Sequence, residues 1–264
     1  MAYSTLLFEQ DAAIATIRMN RPAELNPINL ETAAELSHAM ASCAHDGRIR
    51  VVVLTGSGRA FCAGGDVGYM RSLLDDPNRS VKLVELIQGL HHCVKIMRTM
   101  PKPIIAAVNG VAAGAGCNLA LACDYRLAVE TARFNQAFVR LGLCPDTGGS
   151  YFLPRMLGMA RATELLMTGD FLDAREALAL GLLNQVVSPA DFDAATRKAA
   201  ERFAGAPTAA VGGIKNLINR SLGISLEEQL DAECAVQGEL AKSADFEEGL
   251  RAFFEKRPPV FKGA

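Results

Sequence analysis

The chain has no tryptophan and only 6% aromatic residues, and its four histidines fit none of the zinc spacings, His91 and His92 being adjacent. No structural metal is expected. The seven cysteines contain no C-x-x-C pair, and an odd number does not close a disulfide framework, so they read as reduced thiols in a cytosolic (cytoplasmic) protein. Neither sign of charge dominates. Against 29 Asp and Glu stand 27 Lys and Arg, a net charge of −2, which excludes a broad basic field for nucleic acid or anionic lipid. The first residues, MAYSTLLFEQDAAIATIRMN, carry no basic n-region and reach Glu9 and Asp11 early, so they do not read as a secretory signal. The longest uncharged run, Pro103 to Cys123, has the length of a membrane span, yet three glycines and two asparagines interrupt it. Its first part, Ile104 to Val108, reads instead as a strand buried on both faces.

What is present is core-forming material: 264 residues, 50% of them apolar, enough for a large domain. Residues 5 to 19 predict a hairpin turning at Gln10-Asp11-Ala12. Asn29 should cap a helix that places Leu30, Ala33, Ala34, Leu36, Met40 and Cys43 mostly on one face. The runs VVVLT (51–55), IIAAV (104–108), YRLAV (125–129) and LNQVV (183–187) alternate with helical stretches, one of them over 80–99. That order predicts an α/β fold with a mostly parallel sheet and helices packed on it. From Pro189 onward every pattern is helical, including a capping box at Ser225-Leu226-Glu227-Glu228 and a cap at Ser243. The chain is accordingly read as a core over 1–195 and a helical region over 196–264.

Two glycine-rich turns stand out: Phe61-Cys62-Ala63-Gly64-Gly65-Asp66, and Asn109 to Asn118 with Gly110, Gly114 and Gly116. Each follows an expected buried strand and precedes a helix, which puts free N–H groups and the positive end of a helix dipole at the carboxyl edge of the sheet. Neither is a dinucleotide fingerprint or a Walker A loop. The spacing alone is equally compatible with glycines that merely permit tight turns.

Together with Asn20-Arg21-Pro22 and Asn26, the Pro145-to-Arg155 stretch and the terminal FFEKRPPVF, these turns resemble the signatures of the crotonase, or enoyl-CoA hydratase/isomerase, superfamily over nearly the whole chain. The resemblance implies a crotonase-like fold of stacked ββα turns with a C-terminal helical trimerisation region, assembled as a homotrimer or dimer of trimers. It implies an acyl-CoA substrate, coenzyme A being part of that substrate and no prosthetic group being used. It also implies a thioester enolate held by the backbone amides of Gly65 and Ala115. Fixed N–H donors of that kind are worth about 3–4 kcal/mol each. By the same resemblance the Ala63 backbone lies near adenine, and Phe253 and Lys256 lie near the ADP end of coenzyme A, from the same or a neighbouring subunit. Asp66 belongs to the same coenzyme-binding pattern, and its position suits a helix cap better than a catalyst.

In the hydratases of this family two glutamates occupy the positions held here by Asn118 and Phe138, and neither Asn nor Phe exchanges a proton near neutral pH. Ordinary hydration is therefore disfavoured. The remaining carboxylate, Asp146, reads either as a cap for a helix beginning near Ser150 or as a general base raised in pKa by Phe138, Leu141 and Leu143. PDTGGSYFLPR resembles the ring-opening and double-bond-shifting isomerases of phenylacetate degradation, in which an Asp at this position moves a proton. Dienoyl-CoA isomerases also carry that Asp, but pair it with a Glu where Phe138 stands. The 4-chlorobenzoyl-CoA dehalogenases use it as a nucleophile, assisted by a helical histidine at the position of His91. They carry a tryptophan where Phe138 stands here. A binder of acyl-CoA without turnover is a further reading.

Overall fold

A computed structural model describes residues 3–263. The opening hairpin forms as expected: Leu6–Asp11 (β1) pairs antiparallel with Ile14–Met19 (β2). Asp11 stays in the strand opposite Ile14, and the reversal falls on Ala12 and Ala13, with Ala12 in the left-handed region (φ 51°). The turn is thus one residue later than the polar Gln-Asp pair suggests. Asn29 caps Leu30–His45 (α1) by accepting the Thr32 amide, and the buried face of this helix carries Ala33, Leu36, Met40 and Cys43.

Three successive coils of the chain then repeat one plan, each with a strand in one sheet, a short strand in a second sheet, and helix. The first coil is Val51–Gly56 (β3), Ala60–Cys62 (β4), Val67–Ser72 (α2) and Arg79–Thr99 (α3). The second is Ile104–Val108 (β5), Val111–Ala113 (β6) and Ala115–Ala122 (α4). The third is Tyr125–Val129 (β7), Arg133–Asn135 (β8) and, after a 3-10 turn at Ala137–Leu141, Gly149–Leu157 (α5). The stacked ββα expectation holds. Met159–Thr168 (α6), Phe171–Asp173 (β9), Ala174–Ala179 (α7) and Gln185–Val187 (β10) complete this part. The two sheets have orders β1-β2-β3-β5-β7-β10 and β4-β6-β8-β9, parallel except for β1–β2 and β8–β9. The run read as LNQVV gives only three strand residues, because Leu182 and Leu183 turn into the core and Asn184 is used to accept the Arg126 amide.

β3 and β5 are buried along their whole length, which is why their sequences are unbroken aliphatic runs rather than alternating ones. One face of the first sheet packs on α1 and α3, and the other is covered by Phe192–Ala204 (α8), whose Ala200 is buried against Val51, Val53, Ile105 and Leu127. Each aliphatic side chain so buried contributes about 1.5–3 kcal/mol. The expected boundary at residue 195 falls inside α8. Beyond it come Thr208–Ser221 (α9), Leu226–Leu240 (α10) and Ala244–Glu255 (α11), so everything after Pro189 is helical or a tail, as predicted. A half-buried ion cluster docks α9 on the core: the Asp124 carboxylate receives Arg98 at 2.8 Å and the buried Lys215 at 2.7 Å.

All seven cysteines are free. Burial pushes the thiols of Cys43, Cys62, Cys93, Cys117 and Cys123 up to about 12, which leaves them unreactive. No helix is long and apolar enough to cross a membrane, and no group of three His, Cys, Asp or Glu could hold a metal ion among the described residues.

Candidate active site

The two glycine-rich turns follow β4 and β6, neighbours in the second sheet, and therefore emerge side by side at the same edge. The first is held from outside. Asn26 is buried, accepts the Arg21 amide at 2.9 Å and donates to the carbonyls of Ser57 (2.9 Å) and Ala60 (2.8 Å), while Ile28 donates to Gly64 and accepts from Asp66. With its flanking groups so engaged, the Gly65 amide is left without a protein acceptor among the described residues. In the second turn Gly114 has φ 50° and ψ −123°, a conformation essentially restricted to glycine, and this aims the next amide, that of Ala115, outward from the start of α4. Neither amide donates to a protein acceptor among the described residues.

Both line one cavity of about 650 Å³, together with Ala63, Phe138, His91 and Asp146. Its apolar wall comes from Val67 and Met70 of α2 and from Leu83, Leu86, Ile87 and Leu90 of α3, facing Leu141 and Leu143. Sequence reasoning did not place residues 68 to 90 at the site. Their signal is a helical spacing of aliphatics that does not distinguish a cavity wall from core.

Asp146 is not a helix cap: α5 starts at Gly149 with Gly148 as its N-cap and no side-chain bond there. The carboxylate instead accepts the Thr147 hydroxyl at 2.7 Å. Burial raises its pKa above the ordinary aspartate value, while the Thr147 hydroxyl and nearby His91 pull more weakly the other way. Thr147 takes a left-handed backbone (φ 51°), and its amide donates to Nε2 of His91 at 3.3 Å. On the far side of His91 and Gly148 a second cavity of about 970 Å³ opens between α3, α5 and α9.

Asn118, fully buried on α4, donates from Nδ2 to the Asp146 carbonyl at 2.8 Å and accepts from Gln136 Nε2 at 2.8 Å. Phe138 packs its ring over Gly114. Neither is a proton carrier, so Asp146 is the one carboxylate lining the cavity among the described residues.

The other expected contacts lie apart from this centre. Asp66 caps α2 by accepting the Tyr69 amide at 3.0 Å and pairs with Arg21 at 2.7 Å. Burial acts to raise its pKa, but the Arg21 and Tyr69 bonds outweigh it and hold the carboxyl below its usual value. Phe253 and Lys256 do not line the cavity of their own chain. Phe253 is exposed at the end of α11, and Lys256 closes that helix in a left-handed conformation (φ 54°).

Comparison with known proteins bears on this arrangement. The family described as enoyl-CoA hydratase/isomerase matches residues 9–264. A Rhodobacter capsulatus protein named "probable enoyl-CoA hydratase" is 42% identical over 100% of both chains. The 1,2-epoxyphenylacetyl-CoA isomerase of Escherichia coli is 39% identical over 98% of each. The crystal structure of an enoyl-CoA hydratase/isomerase from Cupriavidus metallidurans superposes with a TM-score of 0.91 at 35% identity, covering 100% of this chain and 98% of the other. Two sheets wound in ββα coils, two unspent amides at adjacent strand ends and these full-length matches lead to one conclusion: the chain belongs to the enoyl-CoA hydratase/isomerase, or crotonase, family.

Proposed function

We propose that the protein is an acyl-CoA isomerase in which Asp146 moves a proton between two carbons while the Gly65 and Ala115 amides hold the thioester oxygen. Enzymes of this family use no prosthetic group, and coenzyme A is part of the substrate. The observation that carries the reading is that, among the described residues, a single carboxylate, raised in pKa by burial, shares a cavity with two free amides and with no second proton-carrying carboxylate. For a 3-enoyl thioester, Asp146 breaks a C–H bond at the α carbon and keeps the proton. The electron pair delocalises over the dienolate, whose oxygen charge the two amides hold. The same carboxyl then returns the proton to the γ carbon, leaving the double bond conjugated with the thioester. Nothing is oxidised or reduced, and one base suffices because it reaches both ends of an allylic unit. A base whose pKa burial raises above the ordinary aspartate value holds the abstracted proton more firmly for the second half of the shuttle. The 39% identity to the Escherichia coli 1,2-epoxyphenylacetyl-CoA isomerase supports isomerisation as the reaction class.

Coenzyme A would lie along the Ala63 end of the cavity. Asp66 would act there by fixing the turn, and Phe253 and Lys256 would reach the ADP end from a neighbouring subunit of a trimer or dimer of trimers.

The test is conversion of a 3-enoyl-CoA in deuterated water, followed by mass and by absorbance of the conjugated product, with the native chain and Asp146→Asn side by side. The variant is expected to bind acyl-CoA and to lose turnover by at least ~100-fold, the scale of a general base. Normal isomerisation by Asp146→Asn would overturn the base assignment. Release of halide from a 4-halobenzoyl thioester with covalent labelling of Asp146 would favour the nucleophilic reading, and tight binding of acyl-CoA without any turnover the non-catalytic one.

A further inference from the structure

We infer that Asn118 is a positioning residue for Asp146, its carboxamide tying the main chain of the Asp146 turn to the helix whose first residue supplies the Ala115 amide. The inference rests on the base assignment above. Asn118 lies one helical turn after Ala115, and its own amide closes the first turn of α4 on the Gly114 carbonyl at 3.0 Å. Its side chain is fully buried in a helix whose other buried positions are Ala, Gly, Cys and Leu. An isolated polar group there is costly, whereas an aliphatic side chain would fill the space without needing partners.

The carboxamide has both ends engaged. Nδ2 donates to the Asp146 carbonyl, and Oδ1 accepts from Gln136, itself buried just after β8. The Asp146 carbonyl can only accept, so it takes the donor end of the amide, and Gln136 donates to the oxygen end. At Gly149 a Cβ would collide with the Asn118 carboxamide, so the start of α5 is pressed against the same group. Through one side chain, the second coil, the third coil and the base-bearing turn become a single rigid body. The separation of the proton carrier from the oxyanion donor is set inside it. Misplacing a reacting group by about 1 Å costs on the order of 100-fold in rate, so a tie at this point governs turnover more than affinity.

The experiment compares the native chain with Asn118→Ala, Asn118→Asp, Gln136→Leu and Asp146→Asn, using a 3-enoyl-CoA and measuring kcat, KM, the pH profile of kcat and thermal unfolding. Asn118→Asp is isosteric but sets an oxygen against the Asp146 carbonyl. Asn118→Ala removes the tie and leaves the Asp146 turn free to shift further into the open cavity. Both are expected to lower kcat by roughly 10- to 100-fold with KM within about 3-fold. In Asn118→Ala the acid limb of the profile should also move to lower pH as the released turn carries Asp146 into better contact with water. The other titratable or charged side chains of that cavity, His91 from α3 with Arg140 and Cys144, are unchanged in every variant. Gln136→Leu, which releases the tie from its other end, should give a smaller loss of kcat in the same sense and serves if an Asn118 variant does not fold. Variants that lose thermal stability but keep native kcat and the native acid limb would overturn the inference. If Asp146→Asn itself retains activity, it is the base assignment that fails, independently of the Asn118 series.

Discussion

Nε2 of His91 accepts the Thr147 amide at 3.3 Å, a bond that joins the longest helix of the molecule to the turn carrying the candidate base. The donor is a main-chain N–H, so in this bond Nε2 of His91 serves as the acceptor. The bond fixes a residue in the left-handed region immediately after Asp146, and so helps to hold the carboxylate in its desolvated place.

That desolvation has a consequence for stability. The folded-state pKa of Asp146 is raised, so its charge opposes folding. The penalty is fully present above the folded pKa and disappears as pH falls below the unfolded one. Asp146→Asn should therefore unfold at higher temperature than the native chain at pH 7, by about 2–4 °C for each kcal/mol relieved. The gain should shrink to nothing below about pH 3.5, where the native aspartate is protonated in the unfolded chain as well. Calorimetry of both chains across that range checks it; a lower unfolding temperature at pH 7 would contradict the burial argument.

The Ala115 amide can be removed without removing a side chain. Proline is tolerated at the first position of a helix, and Ala115 holds that position in α4. Ala115→Pro should keep the circular dichroism of the native chain while turnover falls about 100- to 1,000-fold, the scale of one lost oxyanion donor. Ala115→Gly, which retains the N–H, should stay within a few-fold of the native rate.

Hydration of crotonyl-CoA should be orders of magnitude slower than in an enzyme with two glutamates, since neither Asn118 nor Phe138 can act as a general acid or base near neutral pH. Conversion followed by loss of enoyl absorbance gives the answer, and a rate near the diffusional range would mean that Asp146 activates water as well.

On α9 Ile214 and Ile218 are exposed, as is Leu222 just past its end, and on α10 Leu226 and Leu230 are exposed beside them. An apolar surface of this kind on a helical appendage calls for a partner, and a second and third copy of the chain are the expected ones. Sedimentation should give a trimer or hexamer, and Ile218→Asp should shift it towards the monomer. A native chain that sediments as a monomer would remove the proposed route by which Phe253 and Lys256 of a neighbouring subunit reach the ligand.

The first sheet was readable in the sequence because its central strands are unbroken aliphatic runs, and the caps at Asn29, Ser225 and Ser243 form as their residue types suggest. The second sheet was not. β4, β6, β8 and β9 have three residues each, too short for any period to show, and two of them lead directly into the glycine-rich turns. At the site, Ala63, Gly65, Ala115 and Asp146 converge on one cavity, whereas Asp66, Phe253 and Lys256 do not line it. The tie made by Asn118 went unread, although its signal is visible: an amide within Ala115 to Ala122, a stretch otherwise of small and aliphatic residues, must find partners if that helix is buried.

The ββα winding places Gly65 and Ala115 just past the ends of neighbouring strands, so the two amides are brought together by the course of the main chain. That placement is a property of the peptide backbone and is written in no side chain. Almost any replacement at these two positions, proline aside, keeps the donor in existence. Residues along the cavity wall can therefore change without touching these donors, so that under the proposed function the acyl group accepted could vary while the proposed hold on the thioester oxygen passes through unaltered.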